Sequence, residues 1–317
     1  MKQAFLFAFS FFIVVISYAQ TNDTTVIGNM TVVTYSDRSP ADSLRDIGDL
    51  KGAIECYKEM FERGEADFFD IYYYACALSV DSQLDSAFKY LEIAMEQDTF
   101  AHVFTDPDFL NLRDDKRWAD FESKWIALIQ KKSGNPIIDI EYAKQLWYME
   151  ATDQAYFDCI DLAERETGQD SPVVRALWKL KDLLNKKNQQ DLEKLIESKG
   201  WPKISDVGES AADAAFLVIQ HSDPDKRQKY LPVIENLCKE NEASWQSYAL
   251  MYDRIQTDSN KPQKYGTQVR FNEEKNAYEL FPLLDENKVD QWREEMGLEP
   301  LADYLSYWGI EFFPVGK

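Results

Sequence analysis

The chain has 317 residues, and 56 acidic against 35 basic side chains give it a formal net charge of −21 at neutral pH. Such a charge repels nucleic-acid phosphates and anionic lipids, so it argues against nucleic-acid binding and predicts a soluble protein. Apolar residues make up 45% of the chain and aromatic residues 14%, enough to fill one large core or two ordinary ones.

The first 19 residues read as a signal peptide. Lys2 is followed by an apolar run over residues 4–16 and then by Ser17-Tyr18-Ala19, with small residues placed for cleavage near Ala19. The run is too short to span a bilayer, and we expect a soluble exported protein, periplasmic or extracellular. Residues 20–40 are predicted to be flexible, although residues 31–35 alternate weakly and could form a short strand.

Two segments 34 residues apart resemble each other. Residues 48–57 and 82–91 share the same spacing of apolar and small side chains, with Ala53 in the first and Ala87 in the second. A period of 34 is typical of tetratricopeptide (TPR) helix pairs, in which small residues allow helices to pack closely. The pattern places Ala75 at the equivalent small position of the other helix of the second pair, and the first helix of the first pair is predicted to be short, beginning near Pro40.

A different pattern follows the repeats. Residues 105–133 resemble the segment that closes many bacterial TPR arrays, and we assign residues 41–133 to TPR-like repeats with capping helices. Asp106 is predicted to be the N-cap of a helix that starts at Pro107. Calcium is the alternative for the acids here, but the spacing of an EF-hand is missing, and no metal site or cofactor is predicted. The acids concerned are Asp106, Asp108, Asp114 and Asp115.

Turn-forming residues between Lys131 and Pro136 predict a linker over residues 134–140 and a domain boundary near residue 135. A C-terminal α-rich domain is expected over residues 141–317. Its first helices are predicted over 140–166, as one helix or two, then over 172–184 and over 191–198, with a stop at Gly200-Trp201-Pro202.

The four cysteines lack the CxxC spacing of metal sites and lie among apolar residues of helical pattern, so that zinc is not indicated. They are expected to be buried thiols. One disulfide is the alternative, most plausibly between neighbouring TPR helices. The cysteines are Cys56, Cys76, Cys159 and Cys238, and the candidate bridge joins the first two.

Several uncommon polar motifs follow residue 200 in a fixed order. They are the GWP turn at 200–202, QHSD at 220–223, Asp253-Arg254, QKYGTQ at 263–268 and GLEPLADY at 297–304. In this order they resemble a bacterial domain of unknown function, family 6624, over roughly residues 145–307. Of the two arginines usual in that family after Val-Asp, only Arg293 is present. The resemblance implies no reaction and no assigned site.

The candidate catalytic residues are His221, Asp223 and Arg254. His221 ends an apolar helix face with Asp223 close by, and such a histidine can act as general base, general acid or metal ligand. The alternative is a helix-terminal histidine bonded to a carbonyl or to Asp223. Arg254 could pair with Asp253 or Asp290, or grip a ligand carboxylate.

The candidate binding residues are polar side chains, most of them near a glycine-containing turn. A β-hairpin is predicted beside that turn, with strands at 269–271 and 278–281. So many polar groups form either a satisfied buried network or a ligand pocket, and the sequence leaves both open. The candidates are Gln220, Tyr265, Thr267, Gln268 and Arg293.

The predicted fold is therefore mostly α: a short TPR-type solenoid of helical hairpins followed by a helical domain with a small β-hairpin. The leading functional hypothesis is an exported, non-enzymatic protein that binds a peptide or partner protein through its repeats. The rival is a hydrolase or small-molecule-binding domain, with the repeats as recruiter, and a third is a structural envelope component. The rival centres on His221, Asp223, Arg254, Tyr265 and Gln268.

Overall fold

The computed structural model describes residues 26–27, 30–31, 39–272 and 274–313. The predicted signal peptide lies outside these residues, as does most of the predicted flexible segment. Strand β1 (Val26–Ile27) pairs antiparallel with strand β2 (Met30–Thr31). The described residues fall into two compact units, 39–221 and 222–313, apart from the two short strands. Within the described ranges, no helix combines the length and apolar character needed to cross a bilayer.

The first unit begins with two helical hairpins. Helix α1 (Pro40–Asp46) packs against α2 (Leu50–Arg63), and α3 (Phe68–Val80) packs against α4 (Leu84–Gln97). Helix α1 starts at a capping box, in which the Ser39 hydroxyl accepts a hydrogen bond from the Asp42 backbone N–H and the Ser39 backbone N–H donates to the Asp42 carboxylate. The mostly α fold is confirmed.

The small residues predicted from the 34-residue period are all buried. Ala53, Ala75 and Ala87 have no exposed surface. Larger side chains fill the space between the helices, as in a close-packed core. These are Tyr57, Leu78, Leu91 and Met95.

The segment after α4 contains two 3-10 helices (Ala101–Phe104 and Pro107–Phe109), a short α5 (Leu110–Arg113) and a longer α6 (Trp118–Ser133). The N-cap predicted at Asp106 is confirmed, because one of its carboxylate oxygens accepts the backbone N–H of Asp108 at 2.9 Å. Four apolar side chains of this segment are buried: Phe109, Leu112, Phe121 and Trp125.

Five helices complete the unit: α7 (Ile140–Gln154), α8 (Phe157–Thr167), α9 (Pro172–Lys199), α10 (Ile204–Val207) and α11 (Glu209–Gln220). The prediction of two helices over 172–198 is wrong. A single helix runs through, because residues 185–190 contain neither glycine nor proline and their polar side chains include Asn188 and Gln189, which are buried. The stop predicted at Gly200 is confirmed, since α9 ends there with a positive φ of 84°.

Helix α8 packs on the first helical hairpin. A Cβ at Gly48 would lie 2.6 Å from Leu162 of α8, and Arg165 donates a hydrogen bond to the Asp46 carbonyl at 2.8 Å. Phe104 and Trp147 stack with ring centroids 4.8 Å apart. The segments on both sides of the predicted linker therefore lie in the same compact unit, and the domain boundary near residue 135 stays a prediction.

The second unit contains α12 (Pro224–Lys239), α13 (Trp245–Asp258), α14 (Val289–Glu295), α15 (Leu301–Ser306) and a hairpin of β3 (Val269–Asn272) and β4 (Ala277–Leu280). The strands are antiparallel, with Val269 opposite Leu280, which confirms the predicted hairpin. A hydrophobic cluster in the second unit is built on four buried aliphatic side chains: Val269, Val289, Leu301 and Leu305.

All four cysteines are free thiols, so the alternative bridge between Cys56 and Cys76 is not formed. Cys76 and Cys238 are buried as expected, whereas Cys159 is exposed and Cys56 is half-buried. The expectation of burial is wrong for Cys159 because its position on α8 faces outward, although its neighbour Ile160 is buried.

Candidate functional site

His221 is paired with a carboxylate. It follows the last residue of α11, and its Nδ1 lies 2.7 Å from Oδ2 of Asp153 on α7. The His221 side chain keeps 21% of its surface exposed, whereas the Asp153 side chain keeps 1%. The acid bonded to His221 is thus not the expected Asp223, which is exposed and precedes α12 without a side-chain cap bond.

The carboxylate of Asp153 is only partly satisfied. Its Oδ2 also accepts a hydrogen bond from Gln154 Nε2 at 2.8 Å. Its Oδ1 is buried without a hydrogen-bond partner among the described residues. A buried carboxylate oxygen without a donor is unfavourable, so this arrangement costs the fold stability.

Lys181 of α9 brings a cation beside Asp153. Its ammonium donates a hydrogen bond to the Asp153 backbone carbonyl and lies 3.6 Å from the ring centre of Phe157. Burial lowers the pKa of Lys181 to about 8, although Asp153 acts in the opposite direction. The pKa of Lys181 therefore lies much closer to neutral pH than that of an ordinary lysine.

Further polar groups continue between α7, α9 and α11. Asn188 donates to the Met149 carbonyl at 3.0 Å and bonds Thr152 Oγ1, and Gln189 donates to the His221 carbonyl at 3.3 Å. We call Asp153, Lys181, Asn188, Gln189 and His221 the polar seam. The predicted binding residue Gln220 is buried at the end of α11, beside His221.

Glu150 adds an acid one helical turn before Asp153. Burial, followed by the charges of Asp213 and Asp153, raises the pKa of Glu150 well above its ordinary value. Acids and bases with shifted pKa values are a frequent feature of acid–base sites.

Sequence reasoning missed Asp153 and Lys181, although the spacing of buried residues before Asp153 in α7 could have indicated it. Tyr142, Leu146, Met149 and Asp153 follow one another at helical spacing, and all four are buried. An acid that completes an apolar stripe must be buried with a partner, which marks it as a candidate.

Four of the five predicted binding residues lie in the second unit, and two of them, Tyr265 and Thr267, bond Asp253. This carboxylate has no exposed surface and accepts hydrogen bonds from the backbone N–H groups of Lys264, Tyr265 and Thr267 at 2.8–3.1 Å. The Thr267 hydroxyl donates to it as well, at 3.0 Å. The YGTQ turn is therefore folded around one acid.

The other polar groups of this turn are also bonded within the chain. Gln268 donates from its backbone to Gln263 Oε1 at 2.8 Å and from its side chain to Thr267 Oγ1 at 3.0 Å. Arg293 donates to the carbonyls of Tyr265 and Glu299 at 2.7 and 2.5 Å. Such bonding favours a buried structural network over a ligand pocket.

The two acids expected to pair with Arg254 accept hydrogen bonds from backbone N–H groups. The Asp253 carboxylate bonds the YGTQ turn, and Asp290 accepts the backbone N–H of Leu301 at 2.8 Å. Burial and then Arg227 lower the pKa of Arg254 to about 10, while Asp258 raises it. Of the five residues in the rival hypothesis, His221 belongs to the first unit and the other four to the second, so their convergence stays a prediction.

The GWP turn lines a small cleft of about 200 Å³ in the first unit. Tyr142 donates to the Gly200 carbonyl at 3.0 Å, and Lys199 forms an ion pair with Asp139. These two bonds tie the end of α9 to α7 and to the residue that precedes it.

A model of a family of unknown function, DUF6624, matches residues 140–310, more than half of the chain. The match includes the polar seam and the Asp253 network, and it confirms the resemblance expected from the motifs. No tetratricopeptide family model matches the helical hairpins. No curated protein and no solved structure matches the chain.

Proposed function

The chain belongs to the DUF6624 family, whose function is unknown, and we propose that His221 is the general acid–base group of a hydrolytic site. The observation that carries this proposal is the 2.7 Å contact between His221 Nδ1 and Asp153, whose other carboxylate oxygen is buried without a donor. A carboxylate on Nδ1 holds the imidazole in one tautomer and stabilises its charged form.

In this site Nε2 of His221 removes a proton from water, and the resulting hydroxide attacks the substrate. Asp153 remains ionised and stabilises the imidazolium that forms. His221 then returns the proton to the leaving group, so that no proton is gained or lost over the cycle. The ammonium group of Lys181 adds a positive charge close to Asp153.

The test is a panel of chromogenic carboxylic esters, amides and phosphoesters offered to wild type, His221→Gln and Asp153→Asn. Because a positioned base contributes roughly 10²–10⁴-fold, we expect each variant to lose at least about 100-fold in kcat/KM on any substrate turned over. Asp182→Asn is the control, since Asp182 is exposed on α9 and pairs with Lys186. Equal rates for wild type and His221→Gln, or no turnover of any substrate by wild type, would contradict the proposal.

Partner binding by an exported protein is the second candidate. It is supported by Phe69 and Val80, two apolar side chains of α3 that are each 45% exposed. Because α8 packs on the first hairpin near Gly48, the surface offered to a partner belongs to the second hairpin.

Export is tested by sequencing the N-terminus of secreted protein, which should begin at Gln20. Partner binding predicts that one protein co-purifies with wild type and is lost with Phe69→Ser. Leu183→Ser is the matched control, because Leu183 is exposed on α9. Retention of the partner by Phe69→Ser, or loss with both variants, would contradict this surface.

A further inference from the structure

A second group of reactive side chains lies in the helical-hairpin part of the first unit, apart from the polar seam. Cys76 comes from α3, and Asp106 and Asp108 come from the start of the second 3-10 helix. One sulfur or oxygen atom from each of the three lies within 4.8 Å of the other two. His102 joins them, with Nε2 3.8 Å from Asp106 Oδ2.

The distances suit one metal ion. Neighbouring ligands of a tetrahedral Zn²⁺, with bonds of about 2.0–2.3 Å, stand roughly 3.3–3.5 Å apart. Asp106 Oδ2 lies 3.7 Å from Cys76 Sγ and 3.8 Å from His102 Nε2. A contraction of a few tenths of an ångström along either contact would place Asp106 and that partner on one ion. Asp108 also has an oxygen within 4.8 Å of the Cys76 sulfur and of an Asp106 oxygen.

His102 is oriented as metal-binding histidines usually are. Thr105 Oγ1 donates its proton to the His102 carbonyl at 3.1 Å, so at its 3.1 Å contact with His102 Nδ1 it acts as acceptor. The imidazole proton is therefore assigned to Nδ1, and the lone pair of Nε2 is directed to the side of Asp106. A ligand histidine fixed through its other nitrogen is the common outer-sphere arrangement.

Asp106 is held in place by the surrounding chain. The Tyr72 hydroxyl donates to Asp106 Oδ2 at 2.8 Å, and the Asp108 backbone donates to Oδ1 at 2.9 Å. Both bonds orient the carboxylate that faces the thiol and the imidazole.

The charges nearby also favour a cation. Two carboxylates border a buried thiol, and Arg45 lies 3.7 Å from Asp108 Oδ2, so that its charge balances one of them. Asp106 and a Cys76 thiolate would then balance the two charges of a divalent ion. The His102 side chain is 34% exposed, which leaves a path for the ion to enter.

We propose that Cys76, Asp106 and Asp108 bind a divalent ion of the zinc class, with His102 as the fourth ligand. Thiolate and imidazole select zinc-like metals over calcium or magnesium. The ion would link α3 to the segment that follows α4. The ligands lack the spacing of a sequence motif because Cys76 comes from α3 and the others from the segment after α4, which is why the sequence indicated no zinc.

Cobalt is the probe, because Co²⁺ occupies zinc sites and a Co²⁺–thiolate bond gives a near-ultraviolet charge-transfer band. The purified chain, freed of metal with chelator, is titrated with Co²⁺ and then with competing Zn²⁺. We expect the band to appear in wild type at one ion per chain and to vanish when Zn²⁺ is added. Cys76→Ser should abolish it, and Cys159→Ser, which removes an exposed thiol, should leave it unchanged.

His102→Gln provides a second variant that does not disturb the buried thiol. We expect it to weaken Co²⁺ binding at least about tenfold, as loss of a ligand or of its orientation does. Absence of the band in wild type would overturn the proposal. So would its persistence in Cys76→Ser, its loss in Cys159→Ser, or unchanged Co²⁺ affinity in His102→Gln.

Discussion

Asp153 and Asp253 are both almost completely buried, yet the hydrogen bonding of their carboxylates differs. Asp253 receives three backbone N–H groups and the Thr267 hydroxyl. Asp153 bonds His221 and Gln154 through one oxygen, and its other oxygen has no hydrogen-bond donor among the described residues.

This difference separates a structural acid from a candidate functional one. A buried network whose members are all satisfied makes the local structure rigid. A buried polar atom left without a partner lowers stability, and residues of this kind are often retained for function. By this criterion Asp253 organises the YGTQ turn, whereas Asp153 is a candidate for positioning His221.

The largest expected effect comes from Asp253→Asn. The amide would place its own N–H donors against the N–H groups of the YGTQ turn, so we expect a loss of about 3–5 kcal/mol in the free energy of unfolding, measured with urea. Asp303→Asn is the control, since Asp303 is exposed on α15. A loss of stability no larger than that of the control would contradict the structural role of Asp253.

The buried Lys181 predicts a pH effect of about 2 kcal/mol. Its folded-state pKa of about 8 lies below the ordinary 10.5, so between these values the unfolded state binds more protons and stability rises with pH. Between pH 7.5 and 9.5, wild type should gain about 2 kcal/mol relative to Lys181→Met. Parallel pH profiles for the two proteins would show that Lys181 titrates normally in the fold.

Arg293→Lys should cost about 1–2 kcal/mol. Lysine keeps the charge but cannot reach both carbonyls that the guanidinium bonds, those of Tyr265 and Glu299. Arg270→Lys is the matched control, because Arg270 is exposed on β3 beside Glu279. Urea unfolding should separate the two variants, and equal stability would mean that the fork geometry of Arg293 is dispensable.

Asp153→Asn should change stability least, by less than about 1 kcal/mol. The amide oxygen of the new side chain can still accept the proton of His221. The amide NH₂ group takes the place of the unpaired oxygen, and the side chain no longer carries a buried charge. The same urea measurement applies, with Asp182→Asn as control. A loss as large as that of Asp253→Asn would make Asp153 a structural residue.

Local patterns predicted much of the fold. The 34-residue period located the hairpins through Ala53 and Ala87, and alternation located the β-hairpin, because these signals arise within single elements or neighbouring ones. The 28-residue α9 was not predicted as one helix, since its polar stretch after Leu184 resembles a loop until other helices cover Asn188 and Gln189.

The site was only partly predictable. His221 was found from its place at the end of an apolar face, but its partner Asp153 lies 68 residues earlier in the chain. Lys181 comes from a third helix, and a pairing of this kind depends on how α7, α9 and α11 pack. Helix packing is not encoded in any one local pattern.

The tautomer of His221 tests most directly whether Asp153 positions the imidazole of this histidine. The chain has only two histidines, so imidazole ¹⁵N NMR gives two sets of signals, which His102→Gln assigns. We predict that neutral His221 carries its proton on Nδ1, that this proton exchanges slowly, and that Asp153→Asn makes it exchange faster. A neutral His221 protonated on Nε2, or one that Asp153→Asn leaves unchanged, would contradict the account.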